Sequence, residues 1–277
     1  MSLRLTILGC GSSGGVPRVG QGWGACDPAE PKNRRRRCAL LVERFADDGA
    51  AKTTALIDMG PDLREQLLDA QVKRLDGVLL THPHADHIHG IDDVRPLVIS
   101  MRRRIDVHMD APTSAVVRNA FGYIFESPPG SGYPPLLIEK RIAAGGTTAI
   151  DGPGGAIEAT AFRLDHGEIE ALGFRIGDIA YTPDLIAIPA ESEEFLAGLD
   201  LWIVDALRYT PHPSHFTVGQ ALEAIARFRP RAAVLTNLHS DLDYRTLAAE
   251  LPAHVVPAHD GMRIEARQAA LGRAFAR

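Results

Sequence analysis

Short apolar runs separated by glycine, proline and acidic turns recur along the chain, and most of them have the length of a β-strand. Residues 3–8 alternate like a half-buried strand, whereas residues 78–80 end a predicted buried strand over 75–80. Further strands are predicted at residues 38–44, 53–57, 105–109, 136–140, 156–164, 172–176, 179–181, 201–206, 232–236, 255–257 and 262–264. Helical periodicity predicts helices at residues 63–70, 91–98, 115–123, 193–198, 217–228 and 244–251, and the tail over 268–277 is expected to fray.

No linker rich in glycine, serine or proline divides the 277 residues, so we expect a single domain over residues 1–277. The chain is 45% apolar and 23% charged, which is typical of an ordinary globular protein. Its formal net charge of −5 provides no global basic field, and nucleic acid is therefore not an expected partner.

Cellular location is suggested by three further features. Residues 1–5 enter a strand directly, which predicts no signal peptide. No apolar run approaches the ~18–20 residues that span a bilayer, so no membrane association is expected. The three cysteines are too few for a disulfide framework, and this favours the reducing cytoplasm.

Three histidines and one aspartate follow the apolar run 78–80 within six residues: His82, His84, Asp86 and His87. Placing these groups at the end of a buried strand is costly unless metal ions bind them, and imidazole and carboxylate suit Zn, Mn or Fe. The spacing allows His82 and His84 to turn toward one ion while Asp86 and His87 reach a second. A polar turn with incidental histidines is the alternative interpretation.

Later apolar strands also end in residues that bind metals, and strand ends on one rim of a sheet converge without strain. Asp58, which follows the strand over 53–57, is placed to accept a proton from the non-ligating nitrogen of a bound histidine. We predict two divalent metal ions, with Zn or Mn favoured and Fe also compatible. The predicted ligands are His82, His84 and His166 for one ion, Asp86, His87 and His239 for the other, and Asp184 between them.

Three irregular segments are candidates for contact with a substrate. The Gly/Ser-rich loop over 9–15 is either a tight turn or an anion-binding nest in which Ser12 and Ser13 contact substrate. The long loop over 16–37 ends in the run KNRRRR, which is either a solvated face or an element that steers a phosphorylated ligand. Residues 125–135, rich in proline and glycine, form a lid, a pocket wall or a plain surface loop.

These motifs resemble the metallo-β-lactamase superfamily, whose members carry His-x-His-x-Asp-His, a later His-Gly, a bridging Asp and a final His. The resemblance implies an α+β fold, a four-layer αββα sandwich of two mixed β-sheets flanked by helices, with a dinuclear site along one edge. Residues 9–17 (GCGSSGGVP), 23–24 (WG), 181–184 (YTPD) and 260–262 (DGM) look like PhnP-type cyclic phosphodiesterases, followed by the ribonuclease Z branch. The cysteine cluster that holds a structural zinc in PhnP-type enzymes is missing, since only Cys26 lies near and Leu242 stands where another histidine is expected.

The resemblance implies a metal-dependent phosphodiesterase that cleaves a small or cyclic phosphate ester, similar to phosphoribosyl 1,2-cyclic phosphate. A metal-bridging hydroxide would attack phosphorus, and Asp86 would orient or deprotonate it. The leaving alkoxide then needs a general acid. His215 resembles the acid of ribonuclease Z and His212 best matches the PhnP-type acid, so both are candidates, and Arg208 in the same segment is a candidate substrate contact.

Three other functions remain as alternatives. A ribonuclease Z-like endonuclease acting on tRNA 3′ ends is disfavoured by the acidic charge balance. A thioester or lactone hydrolase is disfavoured only weakly, by the histidine pair at 212 and 215. A non-catalytic accessory protein resembling PqqB is disfavoured by the intact ligand set. The sequence is compatible with a homodimer and does not determine the oligomeric state.

Overall fold

Fourteen strands and six α-helices make up the regular structure of residues 2–267, the part of the chain that this computed structural model describes. The strands are β1 (Ser2–Gly9), β2 (Ala39–Phe45), β3 (Lys52–Ile57), β4 (Gly77–Leu79), β5 (Ile105–Met109), β6 (Leu137–Arg141), β7 (Thr147–Ile150), β8 (Ile157–His166), β9 (Ile169–Ile176), β10 (Ile179–Thr182), β11 (Leu201–Asp205), β12 (Ala232–Thr236), β13 (Val255–Pro257) and β14 (Met262–Arg267). The helices are α1 (Leu63–Asp69), α2 (Ala85–Ile88), α3 (Arg95–Met101), α4 (Ala111–Phe121), α5 (Val218–Phe228) and α6 (Tyr244–Glu250). The tail predicted to fray, residues 268–277, lies outside the described residues.

The strands form two seven-stranded sheets, ordered β14-β1-β2-β3-β4-β5-β6 and β13-β12-β11-β10-β9-β8-β7. In the first sheet the neighbours from β14 to β3 are antiparallel and those from β3 to β6 are parallel. In the second sheet the neighbours from β13 to β10 are parallel and those from β10 to β7 are antiparallel. Both sheets are therefore mixed, as the resemblance implied.

Alternation along the central strands divides the molecule into layers, because successive side chains point to opposite faces of a sheet. Leu79 of β4 and Ile203 of β11 belong to the apolar core between the two sheets. Val78 packs under the helices on the first sheet, and Trp202 packs under the helices on the second. Three apolar cores thus separate four layers, and the predicted αββα sandwich is confirmed.

Some element boundaries differ from the predictions for identifiable reasons. The helix predicted at 115–123 begins at Ala111, because the Asp110 side chain accepts a hydrogen bond from the Thr113 N–H and caps the first turn. The helix predicted at 193–198 is a 3₁₀ helix, Ala190–Leu196. Strand β7 is absent from the predictions, since it lies at a sheet edge and only its last residue is buried, so it lacks a clear apolar pattern.

The parallel halves of the two sheets bring their strand ends to a common rim. β4 ends just before the histidine cluster, and β10, β11 and β12 run parallel to one another and end beside it. The backbone N–H of Leu172 in β9 donates to the carbonyl oxygen of Thr81 at 2.8 Å, which ties the two sheets together at this point. Within residues 2–267, no helix is long and apolar enough to cross a membrane.

Candidate metal centre

The histidine cluster follows β4 as a short extended segment that turns into the single-turn helix α2. Asp58, which follows β3, holds both ends of it: one carboxylate oxygen accepts from the Thr81 N–H at 2.8 Å, and the other lies 2.7 Å from Nδ1 of His87. Asp58 is fully buried and has a φ of 68°, a left-handed conformation that is unfavourable outside glycine. The fold therefore accepts backbone strain to place a carboxylate behind the cluster.

Three imidazole nitrogens converge at one end of the rim. Nε2 of His82 lies 3.0 Å from Nδ1 of His84, and Nε2 of His166 lies 3.2 Å from the same atom. Nδ1 of His166 donates to the carbonyl oxygen of Ser214 at 2.8 Å, so its Nε2 carries the lone pair that can bind a metal. Three lone pairs facing a common point fit one divalent ion, with nitrogen ligands ~2.0–2.1 Å away for zinc.

Asp184, just after β10, lies between this group and His87. Its Oδ2 is 3.9 Å from Nε2 of His82 and 3.7 Å from Nε2 of His166, while its Oδ1 is 3.4 Å from Nε2 of His87. Asp184 is 3% exposed, and its Oδ1 has no hydrogen-bond donor among the described residues. A buried carboxylate oxygen without a donor is costly, and this arrangement fits a carboxylate shared between two cations.

The charges in this cluster are strongly coupled. Burial alone would lower the pKa of His87, but the carboxylates of Asp184, Asp86 and Asp58 outweigh it and raise that pKa well above its usual value. Burial would raise the pKa of Asp184, but the facing His87 and His82 hold it well below its usual range. Burial and the His87 charge together lower the pKa of His82, which favours its neutral, metal-binding form.

The structure brings together most of the predicted ligands, but not all. Within residues 2–267, three sets of ligand atoms lie within 4.8 Å of one another: His82 with His84 and His166, His82 with His87 and Asp184, and His166 with Asp184 and His215. Asp86 belongs to none of these sets, although its Oδ2 lies 3.4 Å from Nε2 of His87. His239 also lies outside them, and its Nδ1 is 3.2 Å from a carboxylate oxygen of Asp241.

The segment after β11 adds a histidine held by a buried carboxylate. Nδ1 of His215 lies 2.9 Å from Oδ2 of Asp205, and the Asn237 side-chain amide donates to Oδ1 of Asp205 at 3.1 Å. Burial opposes protonation of His215, but the hydrogen bond and charge of Asp205 outweigh it and raise the pKa of His215 to about 9. The imidazole stands beside His166, with ring centroids 4.7 Å apart, and its Nδ1 is 3.9 Å from Oδ2 of Asp184.

Asp205 and Asn237 were not predicted from the sequence. Each ends or directly follows a buried strand, so the strand-end argument that selected Asp184 applies equally to them. Asn237 has a φ of 60°, the same left-handed conformation as Asp58 in the other sheet. Both strained positions therefore support a histidine at the rim.

The other predicted site residues surround this centre. His212 lies 5.0 Å from His215 between ring centroids, and its Nδ1 accepts from the Ser214 N–H at 3.3 Å. Burial and the His215 charge lower the pKa of His212. Arg208 directs its guanidinium to the backbone carbonyls of residues 210 and 211.

The two serines and the proline-rich segment occupy distinct places. Ser12 is buried, and its hydroxyl has no hydrogen-bond partner among the described residues. Ser13 is exposed and lines a cavity of about 420 Å³ together with Asp86. The segment over 125–135 lines a different cavity of about 480 Å³ together with Arg95 and Tyr123. None of the predicted metal ligands lines that second cavity.

Comparison with known proteins agrees with this geometry. A protein-family model described as "Beta-lactamase superfamily domain" matches residues 53–237, more than half of the chain and most of the candidate site. The chain belongs to this superfamily. Its fold is the metallo-β-lactamase fold, as the motifs implied, and the His/Asp donor set fits divalent metal ions.

Three individual proteins are similar to this chain over about half of its length or more. A solved structure titled "Crystal Structure of a New Diphosphatase from the PhnP Family" is 35% identical, with a TM-score of 0.83 over 96% of this chain and 97% of that one. An "Octanoyltransferase" of Porphyromonas gingivalis is 35% identical over 94% of this chain and 51% of its own length. A "Ribonuclease Z" of Bradyrhizobium diazoefficiens is 32% identical over 52% of this chain and 45% of its own length.

Two conclusions follow from these relatives. The predicted resemblance to PhnP-type proteins and to the ribonuclease Z branch is confirmed. The chain spans about half the length of the curated relatives it matches, so their names do not establish its activity.

Proposed function

We propose that this protein is a metal-dependent phosphodiesterase that acts on a small or cyclic phosphate ester. The observation that carries the proposal is Asp184, a buried carboxylate with one oxygen facing His82 and His166 and the other facing His87. When bound at such a site, two divalent ions supply Lewis-acid stabilisation of the phosphoryl oxygens and lower the pKa of water. We assign His82, His84 and His166 to one ion, Asp86, His87 and His239 to the other, and Asp184 to both.

The remaining chemistry falls to residues of the chain itself. Asp86 lies at the open edge of the cluster, where its free carboxylate oxygen can accept a proton from the attacking water. His215 is the better candidate for protonating the leaving group, because Asp205 holds its Nδ1 and leaves Nε2 free. His212 lacks a carboxylate partner among the described residues and serves better as a neighbour that shields His215.

The leaving group provides a sharp test of the His215 assignment. Purified protein of measured metal content is assayed on an aryl diester with a nitrophenolate leaving group and on a ribosyl cyclic phosphate with an alkoxide leaving group. His215→Ala should slow cleavage of the alkoxide ester about 10²- to 10⁴-fold. It should slow the aryl ester far less, since nitrophenolate leaves without a proton. His212→Ala is the matched control, and an equal loss on both esters for His215→Ala would contradict the assignment.

Two competing functions are favoured by the names of relatives. A thioester or other acyl-group hydrolase is suggested by the 35% identity to part of a protein named for octanoyl transfer. A tRNA 3′-end nuclease is suggested by the ribonuclease Z relatives, which match about half of this chain. The same preparation is therefore assayed on an octanoyl thioester and on pre-tRNA. Turnover of either one without turnover of any small phosphodiester would refute our proposal.

A further inference from the structure

The segment between β13 and β14 carries the chain from the second sheet to the first. The Ala258 N–H donates to the carbonyl oxygen of Leu235 in β12 at 2.9 Å. The Gly261 N–H donates to the carbonyl oxygen of Ile7 in β1 at 2.8 Å. This crossover is therefore fixed to one strand of each sheet, and Asp260 lies within it.

The carboxylate of Asp260 holds two segments that are far from it in the sequence. Its Oδ1 accepts from the backbone N–H of Cys10 at 3.2 Å, and Sγ of Cys10 lies 3.4 Å from the same oxygen. Its Oδ2 accepts from the backbone N–H of Arg36 at 2.8 Å and from Nε of Arg36 at 3.1 Å. The two segments also meet directly, since the Gly11 N–H donates to the Arg36 carbonyl oxygen at 2.7 Å. One carboxylate thus joins the loop after β1 to the basic run over 32–37.

Both segments form hydrogen bonds with the backbone at His239. The carbonyl oxygen of Cys10 accepts from the Leu238 N–H at 2.8 Å. The buried guanidinium of Arg35 donates to the carbonyl oxygen of His239 at 3.1 Å. The backbone on each side of the His239 imidazole is therefore bound to the segments that Asp260 joins.

The charge of Asp260 does not itself favour folding. Its side chain is 12% exposed, and burial raises its pKa to about 6 from an ordinary 3.8, although the hydrogen bonds and charge of Arg36 lower it. A carboxyl group whose pKa is raised in the folded state is easier to protonate there, so its ionised form lowers the stability at neutral pH. This cost indicates a role in placing the two segments.

We propose that Asp260 is a positioning residue for His239: it fixes Cys10 and the basic run, which in turn hold the backbone of residues 238 and 239 at the metal centre. His239 lies outside the helices and strands, so its direction depends on such contacts. Partners that orient a metal ligand from behind contribute about 10- to 100-fold to metal affinity. The inference rests on the proposed function only through the assignment of His239 to one of the two ions.

Competition between the Co²⁺-loaded protein and a chelator, followed by the visible absorption of bound cobalt, tests this role. Asp260→Asn should weaken one of the two metal equivalents about 10- to 100-fold and the other less than about twofold. Arg36→Ala keeps the backbone N–H of residue 36 and should show the same selectivity with a smaller loss. The control Asp69→Asn removes an exposed carboxylate from the same arginine and should match the wild type. Weakening of both equivalents, or of neither, overturns the proposal.

The same competition in a His239→Ala background identifies the equivalent that is affected. His239→Ala should weaken the same equivalent as Asp260→Asn does. Adding Asp260→Asn to His239→Ala should then change neither affinity by more than about twofold, because the ligand that Asp260 positions is already gone. A residue that acts only on overall stability would lower the affinities further in the double variant, so an additive loss overturns the proposal.

Amide hydrogen exchange of the Zn²⁺-saturated proteins separates this proposal from the proposed function. Asp260→Asn should speed exchange of the Leu238 amide at least about tenfold, because its acceptor, the Cys10 carbonyl, is no longer held in place. The Leu172 amide, which joins the two sheets at Thr81, should exchange as in the wild type. If Asp260→Asn does not fold, Arg36→Ala must show the same selective acceleration.

The exchange rates distinguish the two ways of failing. Equal acceleration of the Leu238 and Leu172 amides, or no acceleration of either, overturns the role of Asp260 whatever the enzyme cleaves. Selective acceleration at Leu238 in a protein that cleaves no diester refutes the proposed function and leaves Asp260 as the residue that positions His239.

Discussion

Two parts of the candidate site are held in place in very different ways. His82, His87 and His166 lie in or close to regular elements. Each has its second ring nitrogen fixed by a neighbour: Thr81, Asp58 and the Ser214 carbonyl respectively. His239 lies in an irregular turn over 239–242, and its Nδ1 faces Asp241 on the partly exposed side. The first region is ordered by the sheets, and the second depends on what supports the turn.

One side chain that supports the turn is the buried Arg35, beside backbone hydrogen bonds from Ala25 to Ser240 and from His239 to Leu207. Nη1 of Arg35 donates to the His239 carbonyl oxygen at 3.1 Å, and its Nη2 donates to the Leu242 carbonyl oxygen at 2.7 Å. The same guanidinium reaches Oδ1 of Asn33 at 3.3 Å and lies 3.7 Å from Sγ of Cys26. Arg35 is 2% exposed and forms no ion pair within the described residues. A charged side chain that donates only to neutral acceptors can therefore help to order a loop outside the two sheets.

The largest effect is expected from removing the charge of Asp184, which faces His87 on one side and His82 and His166 on the other. Asp184→Asn preserves size and shape but lowers the affinity for cations on both sides. Turnover of any substrate should fall below detection, and the metal content by atomic absorption should fall with it. Asp178→Asn, an exposed aspartate in a turn, is the control. Full metal content and full activity in Asp184→Asn would show that the two groups of ligands do not share this carboxylate.

The support of the His239 turn is tested by Arg35→Ala. The variant loses two charge-assisted hydrogen bonds, and the carbonyl oxygens of His239 and Leu242 lose their guanidinium donor. The free energy of unfolding, measured by urea denaturation, should therefore fall by about 3 kcal/mol. Because His239 is assigned to only one ion, the folded variant should lose one of the two metal equivalents and retain the other. Arg34→Ala changes the neighbouring exposed arginine and should leave both quantities unchanged. Retention of both metals in folded Arg35→Ala would mean that the turn needs no such support.

Substitution of Asp58 tests how the histidine cluster is ordered by the residues buried beneath it. It contacts His87 directly and reaches His82 through the Thr81 hydroxyl, which lies 2.8 Å from Asp58 and 2.9 Å from Nδ1 of His82. Asp58→Ala should therefore weaken both metals about 10- to 100-fold in competition with a chelator. Asp58→Asn keeps one acceptor oxygen and should lose less. Loss of only one metal would show that the hydrogen bonds through the Thr81 hydroxyl do not orient His82.

The contrast between the two regions also explains what the sequence could predict. The first cluster is visible because its four side chains lie within six residues, and the strand-end pattern extends this to His166, Asp184 and His239. Asp205 also ends a buried strand, but its partner His215 is ten residues away and Asn237 follows the next strand along the chain. An isolated buried aspartate carries no local sign of such partners, which only the fold reveals.

The basic run over residues 32–37 shows that the burial of a charged side chain is not always predictable from the sequence. A solvated face, one of the two interpretations of these arginines, is wrong for Arg35, which is buried. Arg34 is exposed, whereas Arg35 is buried, Arg36 pairs with Asp69 and Asp260, and Arg37 pairs with Asp62. The run pairs with residues 11 and 16 through bridges at residues 37 and 35, and this pairing carries the Arg35 side chain into the interior. Long-range pairing of two irregular segments leaves no periodic signal in the chain.

The smallest expected effect concerns Asp243, which joins the same turn to helix α6. Its carboxylate accepts hydrogen bonds from the N–H groups of Thr246 and Asp27 and from the Asn33 amide. Burial would raise the pKa of Asp243, but these donors outweigh it and lower that pKa to about 2 from an ordinary value of 3.8. A depressed folded-state pKa stabilises the protein above the unfolded value, and this contribution is lost as the pH falls toward 2.

Asp243→Asn should therefore destabilise the protein by about 1 kcal/mol at pH 5, in the range of a lost helix cap, and by less at pH 3. The measurement is urea denaturation of both proteins at the two pH values, with Asp241→Asn as the control for a neighbouring exposed carboxylate. The difference should shrink on acidification because Asp243 of the unfolded wild type takes up a proton near its ordinary pKa of 3.8, whereas the folded state, with a pKa of about 2, still holds the charge at pH 3. A difference that is constant between pH 5 and pH 3 would mean that the Asp243 charge does not stabilise the turn.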